Sequence, residues 1–228
     1  MTKTGWATSL LMGFFFSCVL MAQQRAIPSG FVYLNEVAPD VTIELRYATK
    51  DNFIGEPIDG YIQPNCIVTL EAAEALKKVQ EELVRFGLGL KIFDAYRPQQ
   101  AVDHFVRWAN DLGDIKMKAV YYPTVAKRDL FRFGYIAEKS SHSRGSTVDL
   151  TLVDLKTGVE LNMGSAYDFF SPVSWVSYDE ISGELRSNRM LLQMVMDKHG
   201  FRSYSKEWWH FTFRNEPFPD TVFNFPIQ

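Results

Sequence analysis

The sequence is poor in cysteine and has no excess of charge of either sign. Its 228 residues include two cysteines and 24 basic against 27 acidic residues, for a formal net charge of -3. A nucleic-acid surface usually needs a clustered excess of Lys and Arg, so we expect no nucleic-acid partner. The motifs HExxH and GxSxG are also missing, which excludes a gluzincin-type helix site and argues against a serine-nucleophile elbow.

No apolar run is long enough to span a bilayer comfortably. Residues 6–21 are apolar, but a spanning helix needs about 20 such residues. Lys3 precedes this run and small Ala22 follows it, which is the order of a secretory signal. We therefore expect residues 1–22 to be a cleaved signal peptide, with a membrane anchor as the alternative. The protein is then exported to the periplasm, has no stable membrane span, and folds residues 23–228 as one domain.

No internal disulfide can form after cleavage, because Cys66 would be the one remaining cysteine. Cys66 has no CxxC partner and is predicted to be a small buried apolar residue. Cys18 follows Phe16-Ser17, so a lipid anchor through Cys18 is the minority alternative to a soluble exported form.

The hydrophobic periodicity predicts an α+β chain. Strands are predicted at residues 41–47, 90–95, 148–152 and 208–213. Helices are predicted from Thr69 to Gly87, from Arg97-Pro98 onward, and over residues 186–199. Residues 51–61 should form a loop, residues 116–139 an irregular surface segment, and residues 215–228 an extended tail packed on the body.

Two of the four histidines, His142 and His210, lie in segments whose polar residues suggest a metal site. In SSHSRGSTVDLTL, strand alternation places Asp149 opposite the apolar side chains, and EWWHFTF does the same for His210. With His142, these residues form a His/His/Asp set, which suits Zn²⁺ and leaves a fourth tetrahedral position open. From spacing alone, an ordinary hydrogen-bonded His–Asp pair remains the competing interpretation.

Two further residues could supply catalytic groups. Bound Zn²⁺ lowers the pKa of its water to about 7, and Glu207, three residues before His210, could accept the proton. Arg97 in FDAYRP could stabilise an oxyanion and be oriented by Asp94. A structural salt bridge at the junction between the strand and the helix is the alternative.

Five ordered motifs together resemble the D-alanyl-D-alanine dipeptidases of the VanX type. They are LRYATKDNFIGEPIDGY, FDAYRP, SSHSRGSTVDLTL, MGSAYDFF and EWWH, spread over the chain from about Leu34 to the C-terminus. The resemblance implies one Zn²⁺ per chain held by His142, Asp149 and His210, with Glu207 as general base and Arg97 as transition-state stabiliser. It also implies substrate contacts: Asp168 and Tyr47 at the free amino end of a dipeptide, and Ser140 at its carboxylate end.

The resemblance further implies a fold and a reaction. The fold is an antiparallel sheet with the zinc on one face and helices on the other, like the D-Ala metallopeptidases and Hedgehog-type domains. The reaction is hydrolysis of D-Ala-D-Ala to two D-Ala, in an exported protein for cell-wall salvage more than for glycopeptide resistance. Two alternatives stay open: a D,D-carboxypeptidase acting on peptidoglycan stems, and a non-catalytic zinc-stabilised wall-binding module.

Overall fold

A five-stranded mixed sheet carries four of the residues that the sequence singled out, namely Asp94, Asp149, Glu207 and His210. The computed structural model describes Met1 and residues 27–228, so the predicted signal segment and Cys18 lie outside the described residues. Among the residues described, no helix combines the length and the apolar character needed to cross a bilayer. The helices and strands, in chain order, are β1 (Phe31–Tyr33), α1 (Leu34–Val37), β2 (Thr42–Ile43), β3 (Ile67–Thr69), α2 (Leu70–Val84), β4 (Leu88–Asp94), α3 (Gln99–Asn110), α4 (Lys118–Tyr121), α5 (Leu130–Phe133), β5 (Thr147–Asp154), α6 (Gly183–Lys198), β6 (Phe201–Tyr204) and β7 (Glu207–Phe213).

The large sheet has the strand order β2-β4-β5-β7-β6, and β1 pairs with β3 in a separate small sheet. The neighbours β4 and β5, β5 and β7, and β7 and β6 are antiparallel. The prediction of a purely antiparallel sheet is wrong at the edge, where β2 pairs with β4 in parallel. A parallel pair needs a long crossover, and the chain between β2 and β4 supplies one that contains α2.

The mixed α/β class is confirmed, and the helices lie in two environments. Helices α2 and α6 are neighbours, because Glu82 on α2 pairs with Lys198 and His199 at the end of α6. Helix α3 instead brings the Phe105 ring to 5.2 Å from the Arg97 guanidinium carbon. Helices therefore flank the predicted site residues as well as the rest of the sheet.

Most predicted elements are present within a few residues of their expected bounds, but the segment at residues 41–47 differs. Only Thr42–Ile43 is a strand, and Arg46–Ala48 forms a 3-10 helix. Alternation correctly indicated that Leu45 and Tyr47 are buried. The backbone nevertheless turns after Leu45, with the amide of Ala48 donating to the Leu45 carbonyl, and this turn carries the Tyr47 ring into the interior.

The loop, tail and cysteine predictions are confirmed. Residues 51–61 contain no helix or strand, and Cys66 is buried with a free thiol. In the tail, Ile227 is buried and forms a parallel bridge with Tyr61. The prediction for residues 116–139 is only partly right, because two one-turn α-helices interrupt the irregular segment and residues 134–137 and 139 line a cavity.

Candidate metal centre

The side chains of His142, Asp149 and His210 lie close together near the start of β5. Asp149 on β5 is the cross-strand partner of His210 on β7. His142 lies in the 3-10 helix Ser141–Arg144, which leads into β5. One ligand atom from each residue lies within 4.8 Å of the other two. The structure thus brings together the three residues that the sequence predicts as metal ligands.

The donor atoms form a nearly equilateral triangle. His142 Nε2 lies 3.3 Å from Asp149 Oδ1, His210 Nδ1 lies 3.2 Å from the same oxygen, and the two nitrogens are 3.3 Å apart. Ligands about 2.0–2.1 Å from a tetrahedral centre lie roughly 3.3–3.4 Å from one another, so these edges fit the zinc radius.

The Asp149 oxygen in this triangle supports the fit independently. Asp149 Oδ1 is buried and accepts no hydrogen bond from any described residue. A buried carboxylate oxygen without a partner costs about 1–3 kcal/mol or more, which a cation at this position would remove. The residues present therefore fit a zinc ion.

Hydrogen bonds fix the orientation of each ligand. His142 Nδ1 donates to the Ala95 carbonyl at 2.7 Å, which leaves Nε2 as the free lone pair. His210 Nε2 lies 3.3 Å from Ser141 Oγ, and the Tyr167 hydroxyl donates to Asp149 Oδ2 at 3.2 Å. Although burial opposes it, the nearby imidazoles of His142 and His210 hold the pKa of Asp149 far below its usual range. The Asp149 carboxylate is therefore ionised and suited to bind a metal cation.

Glu207 is close to the triangle without belonging to it. Its Oε2 lies 3.4 Å from His210 Nδ1. In a regular strand, residues three apart point to opposite faces, but the β6–β7 register shifts so that Tyr204 pairs with Glu207. This irregularity turns Glu207 and His210 to the same side. Burial raises the pKa of Glu207 to about 7, although the His210 charge opposes the shift.

Arg97 is clamped just outside the triangle. Its Nε donates to Asp94 Oδ2 at 2.9 Å, and Nη2 lies 3.5 Å from Asp149 Oδ2. The guanidinium carbon lies 5.1 Å from the ring centre of Tyr47 and 5.2 Å from that of Phe105. The salt bridge with Asp94 that the sequence suggested is present. It also fixes a cation beside the cavity, so the structural and the functional interpretations of Arg97 are compatible.

The three predicted substrate contacts all line the same cavity. Asp168 is buried, and its Oδ2 accepts a hydrogen bond from the Tyr47 hydroxyl at 2.8 Å. Burial and the nearby Asp149 charge raise the pKa of Asp168 well above its usual value. A ligand cation would reverse that shift. Ser140 Oγ accepts from the His142 amide at 3.2 Å and so also caps the 3-10 helix that carries His142.

The cavity is small and bounded by both polar and aromatic walls. Its volume is about 220 Å³. Pockets for drug-sized ligands usually measure about 300–1,000 Å³, so this one suits a smaller molecule. The polar wall contains the metal triangle with Glu207, Arg97 and Asp168, and aromatic side chains such as Phe53, Phe105 and Phe170 complete it.

Several residues of the site were not predicted from the sequence. Ser141 contacts His210 and Tyr167 contacts Asp149, although neither Ser141 nor Tyr167 was singled out. Each adjoins a predicted residue inside a motif, SSH or AYD, so proximity to the motifs was the available signal. Tyr204 also lines the cavity, with its ring centre 5.4 Å from that of His210, and no sequence pattern indicated it.

Comparison with known proteins matches the sequence of this chain to a peptidase family. A peptidase M15 family model, described as D-Ala-D-Ala dipeptidase, matches residues 28–228. The D-alanyl-D-alanine dipeptidase of Enterococcus faecalis is 44% identical over 200 residues, covering 88% of this chain and 99% of the relative. That of Streptomyces coelicolor is 42% identical, covering 86% of this chain and 98% of the relative. That of Escherichia coli is 36% identical, covering 79% and 82%.

Proposed function

The chain belongs to the M15 peptidase family of D-Ala-D-Ala dipeptidases, and we propose that it hydrolyses D-alanyl-D-alanine to two D-alanine with one zinc ion per chain. The similarity extends over nearly the full length of the Enterococcus relative, so the proposal concerns a whole enzyme domain. The small cavity beside the ligand triangle supports a substrate of dipeptide size.

In this proposal His142, Asp149 and His210 hold the zinc on the polar face of the sheet. The observation that carries the assignment is the buried Asp149 Oδ1, which has no hydrogen-bond partner among the described residues and lies 3.2–3.3 Å from one nitrogen of each histidine. A zinc ion in such an open site acts as a Lewis acid and lowers the pKa of its water to about 7. A relationship to Hedgehog-type domains is part of the same proposal.

Glu207 is proposed as the general base. Its carboxylate accepts a proton from the attacking water and delivers that proton to the leaving amine, while a C–O bond forms and the peptide C–N bond breaks. Its distance of 3.4 Å from His210 Nδ1, outside the ligand triangle, supports this role.

Arg97 is proposed to stabilise the oxyanion that forms on the attacked carbonyl. Asp94 and the rings of Tyr47 and Phe105 hold its guanidinium in one orientation before the substrate arrives. A preorganised donor of this kind lowers the barrier because it needs no reorientation as charge develops.

The two charged ends of the substrate are proposed to bind to different residues. Asp168, positioned by Tyr47, receives the free ammonium, and Ser140 contributes to binding of the carboxylate. A longer peptide has an acylated nitrogen in place of the ammonium and would leave the buried Asp168 carboxylate without a cation. Such an unpaired buried group is a strong basis for selectivity.

The test compares free D-Ala-D-Ala with a stem pentapeptide that ends in D-Ala-D-Ala. We expect release of D-Ala from the dipeptide and little from the pentapeptide, with L-Ala-L-Ala as the stereochemical control. Comparable release from the pentapeptide would favour the D,D-carboxypeptidase alternative. Zinc binding without hydrolysis of either peptide would favour the wall-binding module, which needs neither Glu207 nor Arg97.

We also propose that the enzyme is exported and acts in salvage of cell-wall dipeptide. The apolar residues 6–21 followed by Ala22 support a signal, and residues 1–27 precede the family match. Resistance to glycopeptides would instead require removal of the dipeptide inside the cell. N-terminal sequencing of the periplasmic protein should give Gln23, whereas an intact or lipidated N-terminus would contradict cleavage at Ala22.

A further inference from the structure

A buried arginine outside the cavity holds the loop that carries Asp168. The Arg189 side chain projects from α6, and the residue is only 4% exposed. Among the described residues, no carboxylate lies within ion-pair distance of its guanidinium, and burial lowers the pKa of Arg189. A buried cation without an anion is costly, so its hydrogen bonds indicate why it is there.

All three hydrogen bonds of Arg189 go to backbone carbonyls of one loop, residues 163–175. Nε donates to Met163 at 2.6 Å, Nη2 to Val173 at 2.8 Å and Nη1 to Trp175 at 3.1 Å. The first carbonyl lies at the beginning of the loop and the other two at its end. The planar fork of a guanidinium can serve three such acceptors at once, which an ammonium cannot do with the same geometry.

Asp168 lies between these two anchored ends in a conformation that needs support. Its φ of 59° is the one left-handed value at a non-glycine residue within the described chain. This conformation is uncommon at any residue other than glycine, although Asn and Asp adopt it more often than the rest, and it persists where the surroundings enforce it. Ser174 Oγ reinforces the loop by donating to the Phe169 carbonyl at 2.6 Å.

We propose that Arg189 is a positioning residue that fixes the loop of residues 163–175, and through it the Asp168 carboxylate, for recognition of the substrate's free amino end. This inference rests on the proposed function, because it gives Arg189 a role in substrate selectivity. Arg189 itself does not line the cavity and acts through Asp168.

The test is the preference for D-Ala-D-Ala over N-acetyl-D-Ala-D-Ala, measured as the ratio of the two kcat/KM values. Arg189→Lys keeps the charge but loses the fork. We expect KM for the free dipeptide to rise about 10-fold to 100-fold, as when a hydrogen bond to a charged group is lost, and the preference to fall with it. Zinc content should be unchanged, and kcat should change much less than KM.

Two comparisons separate positioning from a general loss of stability. Arg186→Lys is the matched control, because Arg186 is on the same helix and donates to a single exposed carbonyl, that of Asp179. It should leave the preference unchanged. Asp168→Asn should lower the preference by itself, and adding Arg189→Lys to it should change the preference little further, because both act on the same contact.

Each outcome distinguishes the inference from the proposed function. A wild-type protein that hydrolyses neither dipeptide would overturn the proposed function. If folded Arg189→Lys keeps the wild-type preference for the free dipeptide, the inference is overturned and the proposed function stands. The same holds if the effects of Arg189→Lys and Asp168→Asn on that preference are independent. If Arg189→Lys does not fold, Ser174→Ala loosens the same loop without a buried charge, and an unchanged preference in that variant would also overturn the positioning role.

Discussion

Replacing Glu207 with Gln tests the chemistry at the ligand triangle with little change of shape. Glutamine has the size of glutamate but no useful basicity. Because Glu207 Oε2 lies 3.4 Å from His210 Nδ1 and outside the His142–Asp149–His210 set, Glu207→Gln should keep one zinc per chain. A general base contributes about 10²–10⁴ in rate, so the barrier should rise by roughly 3–5 kcal/mol.

The pH dependence gives the same experiment a second readout. The base must be deprotonated, so activity is present above the pKa of Glu207 and is lost as the pH falls through it. Burial raises that pKa to about 7 in the metal-free chain, and zinc charge acts in the opposite direction, so the acidic limb should lie at or below about pH 7. In Glu207→Gln this limb should disappear from the residual activity.

The assay is D-Ala release across the pH range, with zinc content measured at each pH. Glu160→Gln is the control, because this partly exposed carboxylate lies outside the cavity and pairs with Lys91, which retains Glu44 as a partner. Loss of zinc from Glu207→Gln would refute its placement outside the ligand set. A change in rate of less than about tenfold would refute its role as general base.

Three further substitutions probe the ligands, the oxyanion contact and the tail. His210→Ala should lose zinc and activity together, and full zinc occupancy in the purified variant would contradict its role as a ligand. Arg97→Lys should lower kcat by about 10²–10³, because an ammonium cannot replace both the Nε and the Nη2 contact to Asp94 Oδ2 and also face the substrate; an unchanged kcat would contradict the role of Arg97. Phe225→Ala should lower the free energy of unfolding in urea, because the variant loses the stacking of Phe225 on Tyr96 at 4.1 Å. The loss should be about 2–3 kcal/mol, which is less than for a fully buried ring because Phe225 is only partly buried. An unchanged urea midpoint would mean that the tail does not stabilise the fold.

The sequence predicts the helices and strands well, and it picks out three side chains that the structure brings together, where one local pattern carries the information. Alternation around Asp149 and His210 indicated two polar strand positions, and the structure makes these residues cross-strand partners. Helical spacing located α2, and Gly87 beyond its end adopts a φ of 73°. Both patterns depend on neighbouring residues in the chain, so they can be read without knowledge of the tertiary structure.

Features that depend on distant partners could not be predicted. Alternation at residues 41–47 indicated which side chains are buried, but not that the strand ends at Ile43 or pairs in parallel with β4. Arg189 binds backbone carbonyls, which every residue possesses, so its partners leave no mark in the sequence. Likewise, strand periodicity would place Glu207 and His210 on opposite faces, and the register shift that unites them is a tertiary feature.

The most direct test of the central claim is a zinc titration of the metal-free protein, followed by D-Ala release from D-Ala-D-Ala. If His142, Asp149 and His210 form the only metal site needed for hydrolysis, activity should rise in proportion to added zinc and reach its maximum at one ion per chain. Full activity in the presence of a chelator, or a maximum reached only at two ions per chain, would contradict the account.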